Sequence, residues 1–376
     1  MDLKDFITFR HLLHQYPDLS GFESATRELI RAFLKPFRPD KMQEVAATGL
    51  LVKFDGKKPG KTILVRAELD ALPIREVNTF SHKSGDPLKS HKCGHDGHMV
   101  ILCRLAWLLH QQPLDQGTAY LLFQPAEENG LGAKAVMEDP VFRALKIDQV
   151  IALHNTPGFP LGSIQIRYGA FTPAVRSIMV GFEGRTSHAA EPENGLCPAT
   201  AMNLFLSKAL EMAIADTASD NFFLVSPVYM RLGEKSYGIT AGSGEVHLTI
   251  RAWSDTMLQQ QSDLMEQMAA SIGTAFRLKI TTGWTQEFSA NNNDPVVVDQ
   301  IQRAADELSI QSISLTAPMK WGEDFGLFTQ HYPGAMFGLG AGEHHPALHN
   351  PDYDFEDQLI EPGSAVFERV VRNFLC

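Results

Sequence analysis

Residues 91–99 read HKCGHDGHM, a cysteine, three histidines and an aspartate within nine positions. Thiolate and imidazole are borderline-soft donors, and at this density they suit half of a metal site. A polar loop that happens to be histidine-rich is the plainer alternative, and clusters elsewhere in the chain decide between the two. Three apolar runs each end in polar residues: KTILV runs into RAELDALP (66–73), TAYLLF into QPAEENG (124–130) and QVIAL into HNTPG (154–158). A fourth cluster, EHHPALHNPDYDF (343–355), supplies His344, His345 and His349 after the run GAMFGLG.

The apolar runs read as buried strands, and between the first two lies GHMVILCRLAWLLHQQ, a helix apolar nearly all round. Strand, helix, strand, helix, strand is the pattern of an α/β layer with a mixed, largely parallel sheet flanked by helices. In such sheets ligands bind beyond the carboxyl ends of the strands. Glu68, Asp70, Glu127, Glu128 and His154 are therefore expected to converge, with residues 91–99 at a helix start whose dipole favours a thiolate. The set exceeds what one ion needs and is enough for two divalent ions. Adjacent Glu127 and Glu128 point different ways, so one can bind metal while the other stays free to take a proton from water and deliver it to a leaving amine.

Between about residues 175 and 284 the texture changes to strands interleaved with two helices, which suggests an inserted α+β, ferredoxin-like domain. Residues 1–174 and 285–376 then form one domain in two pieces. Near the start, Ser20-Gly-Phe-Glu23 has the capping-box pattern and predicts the beginning of a second helix. The net charge of −11 leaves no basic stripe for nucleic acid. The longest apolar run, MVILCRLAWLL, is interrupted by Arg104 and too short to span a bilayer. The amphipathic first residues do not suggest a signal peptide. Four scattered cysteines point to a reducing cytoplasm rather than a disulfide framework.

RAELDALP, CGHDGH, FQPAEE, ALHNTP, GEDF and LHNPDYDF, in this order, resemble the dinuclear metal-dependent amidohydrolase/metallopeptidase family. That family includes hippurate hydrolases, auxin-conjugate hydrolases, bacterial aminoacylases and N-acetyl-diaminopimelate deacetylases. The resemblance spans nearly the whole chain and implies a zinc-peptidase-like catalytic domain with a lid and dimerisation domain at 175–284. It implies Cys93, His95, Glu128, His154 and His349 as ligands of two divalent ions, Cys93 bridging. Zinc or manganese would fill the site, and cobalt or nickel would be tolerated. It makes Glu127 the general base and acid acting with a metal-bridging hydroxide, and Asp70 the clamp on a ligand histidine. In the lid, GRTSHAAEPENGLCP (184–198) resembles the motif whose histidine, here His188, steadies the oxyanion in the partner subunit. Arg251 and Asn203 resemble positions holding a substrate carboxylate. The implied protein is a homodimer that cleaves the amide of N-acyl amino acids. A dipeptidase or carboxypeptidase of the same superfamily, or a catalytically silent relative, are the alternatives.

The chain departs from its relatives at Glu68, where aspartate is usual, at Met99 for threonine and at Gly322 for serine. Outside the motifs the plain readings hold. His91 is expected as a solvated loop residue and His98 as a helix-terminus residue. His82, His110, His247 and His331 are expected at the surface or in packing, Cys103 in the core, and Cys197 and Cys376 there too or as surface thiols.

Overall fold

A computed structural model describes all 376 residues. The strands are β1 (Lys41–Val45), β2 (Gly49–Asp55), β3 (Lys58–Glu68), β4 (Gln116–Gln124), β5 (Gln149–Thr156), β6 (Ile164–Ile166), β7 (Gly169–Thr172), β8 (Ala174–Glu183), β9 (Phe223–Leu232), β10 (Ser243–Ala252), β11 (Lys279–Phe288), β12 (Asn291–Asn293), β13 (Ser312–Ser314) and β14 (Gly334–Gly340). The helices are α1 (Leu3–Gln15), α2 (Ser24–Leu34), α3 (His95–Gln111), α4 (Gly132–Glu138), α5 (Pro140–Arg143), α6 (Ala199–Glu211), α7 (Asp255–Phe276), α8 (Pro295–Glu307), α9 (Gly326–Thr329) and α10 (Ile360–Leu375).

The chain divides into two compact units. The first comprises Met1–Phe171, Asn291–Thr316 and Glu323–Cys376. Its sheet has eight strands in the order β1-β2-β4-β3-β5-β14-β6-β13. The pairs β3–β4, β3–β5, β5–β14 and β6–β13 are parallel, and antiparallel pairing is confined to β1–β2, β2–β4 and β14–β6. Every residue of β5 and β14 is buried, which is why these strands read as continuous apolar runs rather than alternating ones. Helices α1, α3 and α10 pack with the sheet around one core that includes Phe6, Ile101, Leu105, Phe337, Phe355 and Phe367. Helix α3 is buried on almost all sides, so its polar first turn is carried into the interior.

Helix α2 corrects one expectation. It begins at Ser24, and its cap residue Glu23 makes no side-chain hydrogen bond to the helix. Ser20 Oγ donates instead to Asp70 Oδ2 at 2.7 Å, while the Glu23 carboxylate accepts from Gly21, Ala126 and Thr48. The apparent capping box is local sequence used for longer-range contacts.

The second unit comprises Thr172–Ala290 and Ala317–Gly322. Its antiparallel sheet has the order β11-β8-β10-β9, which in the unit's own strand sequence is 4-1-3-2, the split βαβ arrangement. Helices α6 and α7 pack on it over a core of Phe182, Phe205, Leu248, Ile250 and Met265. Strand β11 runs to Phe288, so the unit extends past the change of texture at residue 284, and 317–322 return to it. On the edge strand β9, Val228, Tyr229, Met230 and Leu232 are exposed. No helix of the chain is long and apolar enough to cross a membrane.

Candidate metal centre

Sheet order places the donors. β4, β3, β5 and β14 are consecutive neighbours, so the segments leaving their carboxyl ends emerge side by side. Glu68 closes β3 and Asp70 follows it; Glu127 and Glu128 follow β4; His154 lies near the end of β5; His349 follows β14. Cys93 and His95 flank Gly94, whose φ of +90° turns the chain into α3. A side chain at Gly94 would sit 2.6 Å from Asn155 Oδ1 and 2.7 Å from the Tyr353 hydroxyl, so glycine is required there on both counts.

Three interlocking sets of side chains have donor atoms within 4.8 Å of one another: Cys93, His95 and His154; Cys93, Glu128 and His349; and His95, Glu127 and Glu128. Cys93 Sγ is 3.5 Å from His154 Nε2, and His349 Nε2 is 3.6 Å from Glu128 Oε2. His95 Nε2 is 3.9 Å from Glu128 Oε1 and 4.0 Å from Glu127 Oε2. Cys93, His95 and Glu128 each belong to two sets, the pattern expected where two ions lie next to each other.

The far side of each ring is fixed. His95 Nδ1 donates to the main-chain oxygen of Asp70 at 2.8 Å and lies 3.4 Å from its carboxylate. His154 Nδ1 donates to the Asn155 carbonyl at 2.9 Å. Both rings therefore turn Nε2 towards the cluster. Asp70 Oδ2 also accepts the Glu128 main-chain N–H at 2.9 Å.

Behind the donors lies a second layer that composition did not reveal. His98, in the first turn of α3, is buried and stands between Glu68 Oε2 (2.7 Å) and Asn155 Oδ1 (2.6 Å). Glu68 pairs with Arg66, whose guanidinium also reaches Gln124, Glu323 and Asp324, all shielded from solvent. His91, expected in solvent, is 1 % exposed, and burial pushes it down to about 3. His82 keeps partial exposure but bonds Asp354 and Arg10. Asp96 turns away from the centre to His14 and Arg10. The signal for Arg66 and Asp324 was present in RAELD and GEDF, but their pairing spans 258 residues.

Buried negative charge outweighs positive charge in the cluster. Burial, together with Glu323, Glu128, Asp324 and Asp70, raises Glu127 well above the ordinary carboxylic range. Burial pushes Glu128 up to about 7 against the pull of His95. Burial, with Glu128, Glu127 and Glu68, raises the Cys93 thiol well above its ordinary range. Burial alone would lower His95, but Asp70, Glu68 and Glu128 carry it up to about 10. His95 Nε2, Glu128 Oε1 and Asp70 Oδ1 are buried with no hydrogen-bond partner. Unsatisfied interior donors of this chemistry, with crowded carboxylates in need of cations, fit a pair of divalent ions.

His188, Asn203 and Arg251 lie in the second unit. His188 is exposed, with Nδ1 accepting the Ala190 N–H at 3.0 Å, and Asn203 is exposed on α6. Arg251, on β10, is partly buried; its Nη1 has no partner, and burial lowers its pKa.

Comparison with known proteins agrees in kind. The model described as peptidase family M20/M25/M40 matches residues 64–373. An N-acetyl-L-cysteine deacetylase of Bacillus subtilis is 32% identical over 366 residues, covering 96% of this chain and 86% of that one. An N-acetyldiaminopimelate deacetylase of Lacticaseibacillus casei is 30% identical over 371 residues, covering 96% and 95%. Among solved structures, a dinuclear metal binding peptidase of Bacillus subtilis superposes with a TM-score of 0.85 at 25% identity, covering 99% of this chain and 98% of that one.

Proposed function

The chain belongs to peptidase family M20/M25/M40, and from that membership we propose a metal-dependent amidohydrolase that cleaves the amide bond of N-acyl amino acids. The observation that carries the reading is the donor cluster of Cys93, His95, Glu128, His154 and His349, with Glu127 beside it. Relatives named as deacetylases of N-acetylated amino acids support the substrate class.

Cys93, His95, Glu128, His154 and His349 would hold two divalent ions, zinc or manganese. Bound there, the ions would polarise the scissile carbonyl and make water nucleophilic at neutral pH. Glu127 accepts the proton that water gives up and delivers it to the departing amine. Its raised proton affinity suits that second step, and Asp70 keeps His95 and the Glu128 main chain in place.

The second unit is read as lid and dimerisation domain. The exposed apolar edge of β9 supports pairing of two copies. His188 of the second copy would steady the oxyanion, and Arg251 and Asn203 would take the substrate carboxylate. Four free cysteines accord with a cytoplasmic enzyme.

The test is turnover of N-acetyl, N-benzoyl and longer N-acyl amino acids, with dipeptides alongside, under Zn²⁺, Mn²⁺ and Co²⁺. Hydrolysis of acyl amino acids that disappears in Glu127→Ala supports the reading. Preferential cleavage of dipeptides transfers the chain to the peptidase alternative, and no turnover with any metal leaves a binding protein.

A further inference from the structure

We infer that Glu23 is a positioning residue that holds the turn carrying Glu127 and Glu128 by fixing Ala126 in a left-handed conformation. The inference rests on the functional reading above, which gives Glu127 the proton transfer.

Ala126 has φ +53°, a conformation in which a Cβ crowds the following carbonyl and which only glycine adopts freely. Something must hold it there. Its N–H donates to Glu23 Oε1 at 2.8 Å, inside the protein, and Glu23 is wholly buried. The carboxylate is itself aimed by two further donors, Gly21 N–H at 2.8 Å and Thr48 Oγ at 2.6 Å. On the other side of Glu127, the Glu128 N–H ends on Asp70 Oδ2, and Ser20 Oγ donates to that same oxygen. The main-chain N–H groups flanking Glu127 are thus both tied to carboxylates anchored by the 20–23 loop.

The turn has no room to find an alternative. A side chain at Gly49 would stand 2.8 Å from Pro125 Cδ, and one at Gly132 would run into the Pro125 carbonyl oxygen. A helix cap serves its own helix, yet Glu23 makes no such bond to α2, and its Oε1 instead accepts from the N–H of a residue 103 positions away. That misdirection is what distinguishes a brace for the turn from ordinary helix chemistry.

The experiment is a double-mutant cycle on the full-length, metal-loaded protein, using the N-acyl amino acid that wild type hydrolyses fastest. Glu23→Ala is expected to lower kcat about 10- to 100-fold with KM within about threefold, because a displaced acid/base slows chemistry more than binding. Glu23→Gln keeps an oxygen acceptor for Ala126 and should restore kcat to within a few fold. With Ala126→Gly in both backgrounds, the loss caused by Glu23→Ala should shrink several-fold, since glycine needs no restraint to occupy that conformation. Equal losses in both backgrounds, or a Gln variant as impaired as the Ala variant, overturn the inference.

Should Glu23→Ala fail to fold, Thr48→Val, which removes only the hydroxyl aiming the carboxylate, carries the test through the same kcat-against-KM split, and an unchanged kcat there counts against the inference. Amide hydrogen exchange at residues 126–130 reads the turn without substrate. If wild type hydrolyses no acyl amino acid, the functional reading fails by itself, and unaltered protection in the Glu23 variants then overturns this inference separately.

Discussion

His14 Nδ1 lies 2.8 Å from Asp96 Oδ2, and neither side chain is reached by solvent. On its other face His14 Nε2 is 3.1 Å from Glu76 Oε1. Burial alone would lower His14, but the charge and hydrogen bond of Asp96, with Glu76, carry it up to about 9. A pKa raised on folding stabilises the native state fully below the unfolded value of about 6.5, and the contribution fades as pH climbs through about 9. Its upper bound is about 3 kcal/mol. Tm measured against pH should therefore separate wild type from His14→Gln most widely near pH 6, with the gap narrowing from about pH 6.5 and closed above about pH 9. A gap of constant width would refute the linkage.

Glu127→Gln keeps the shape of the side chain and removes its ability to carry a proton. Turnover should fall by about 100- to 10,000-fold while bound metal, by elemental analysis, stays at the wild-type ratio. The same change relieves crowding among Glu127, Glu128 and Glu323, so Tm of the metal-free protein should hold or rise. Joint loss of metal and activity would mean that Glu127 is a ligand.

Cys93→Ser replaces the donor common to two of the three sets. Most of the metal should be lost on dialysis, and far-ultraviolet circular dichroism should remain native, because Cys93 contributes little to the apolar core. Metal retained at the wild-type stoichiometry would exclude Cys93 as a ligand.

Arg66→Met tests the hub beneath the donors. Arg66 is fully shielded and faces Glu68, Glu323 and Asp324. Removing one side of a buried charge network strands the other, at a cost of about 3–5 kcal/mol. Urea denaturation should report that loss, with part of it recovered when Glu323→Gln is added.

Gly97→Ala places a methyl group in overlap with Phe355 ring atoms. Overpacking of this kind costs about 1–3 kcal/mol. Because Gly97 sits between His95 and His98 in the first turn of α3, metal affinity measured by competition with a chelator should weaken together with Tm.

What could be read from the chain before its coordinates follows a physical rule. Strands such as QVIAL announce themselves because both sheet faces are covered, and the donors are legible because chemistry gathers at strand ends, where composition changes abruptly. Ser20 and Glu23 were misread because a capping box and a long-range brace share one spacing; only the direction of the side chains distinguishes them. The polar local composition around His91 suggests a solvated loop, whereas the burial of the neighbouring α3 is set by α1 and α10 from opposite ends of the chain. Arg66 and Asp324 each stand in a legible motif, but nothing local pairs two residues 258 positions apart.

The strand order has a consequence for synthesis. β14 sits between β5 and β6, although at least 167 residues lie between it and either in the chain (Ile166 to Gly334). A ribosome that has released the first three hundred residues has thus delivered a sheet with an open seam, its β5 edge apolar and unpaired. Until residues 334–340 arrive to fill it, that seam is open to pairing with another nascent chain, and prematurely terminated products should be prone to aggregation.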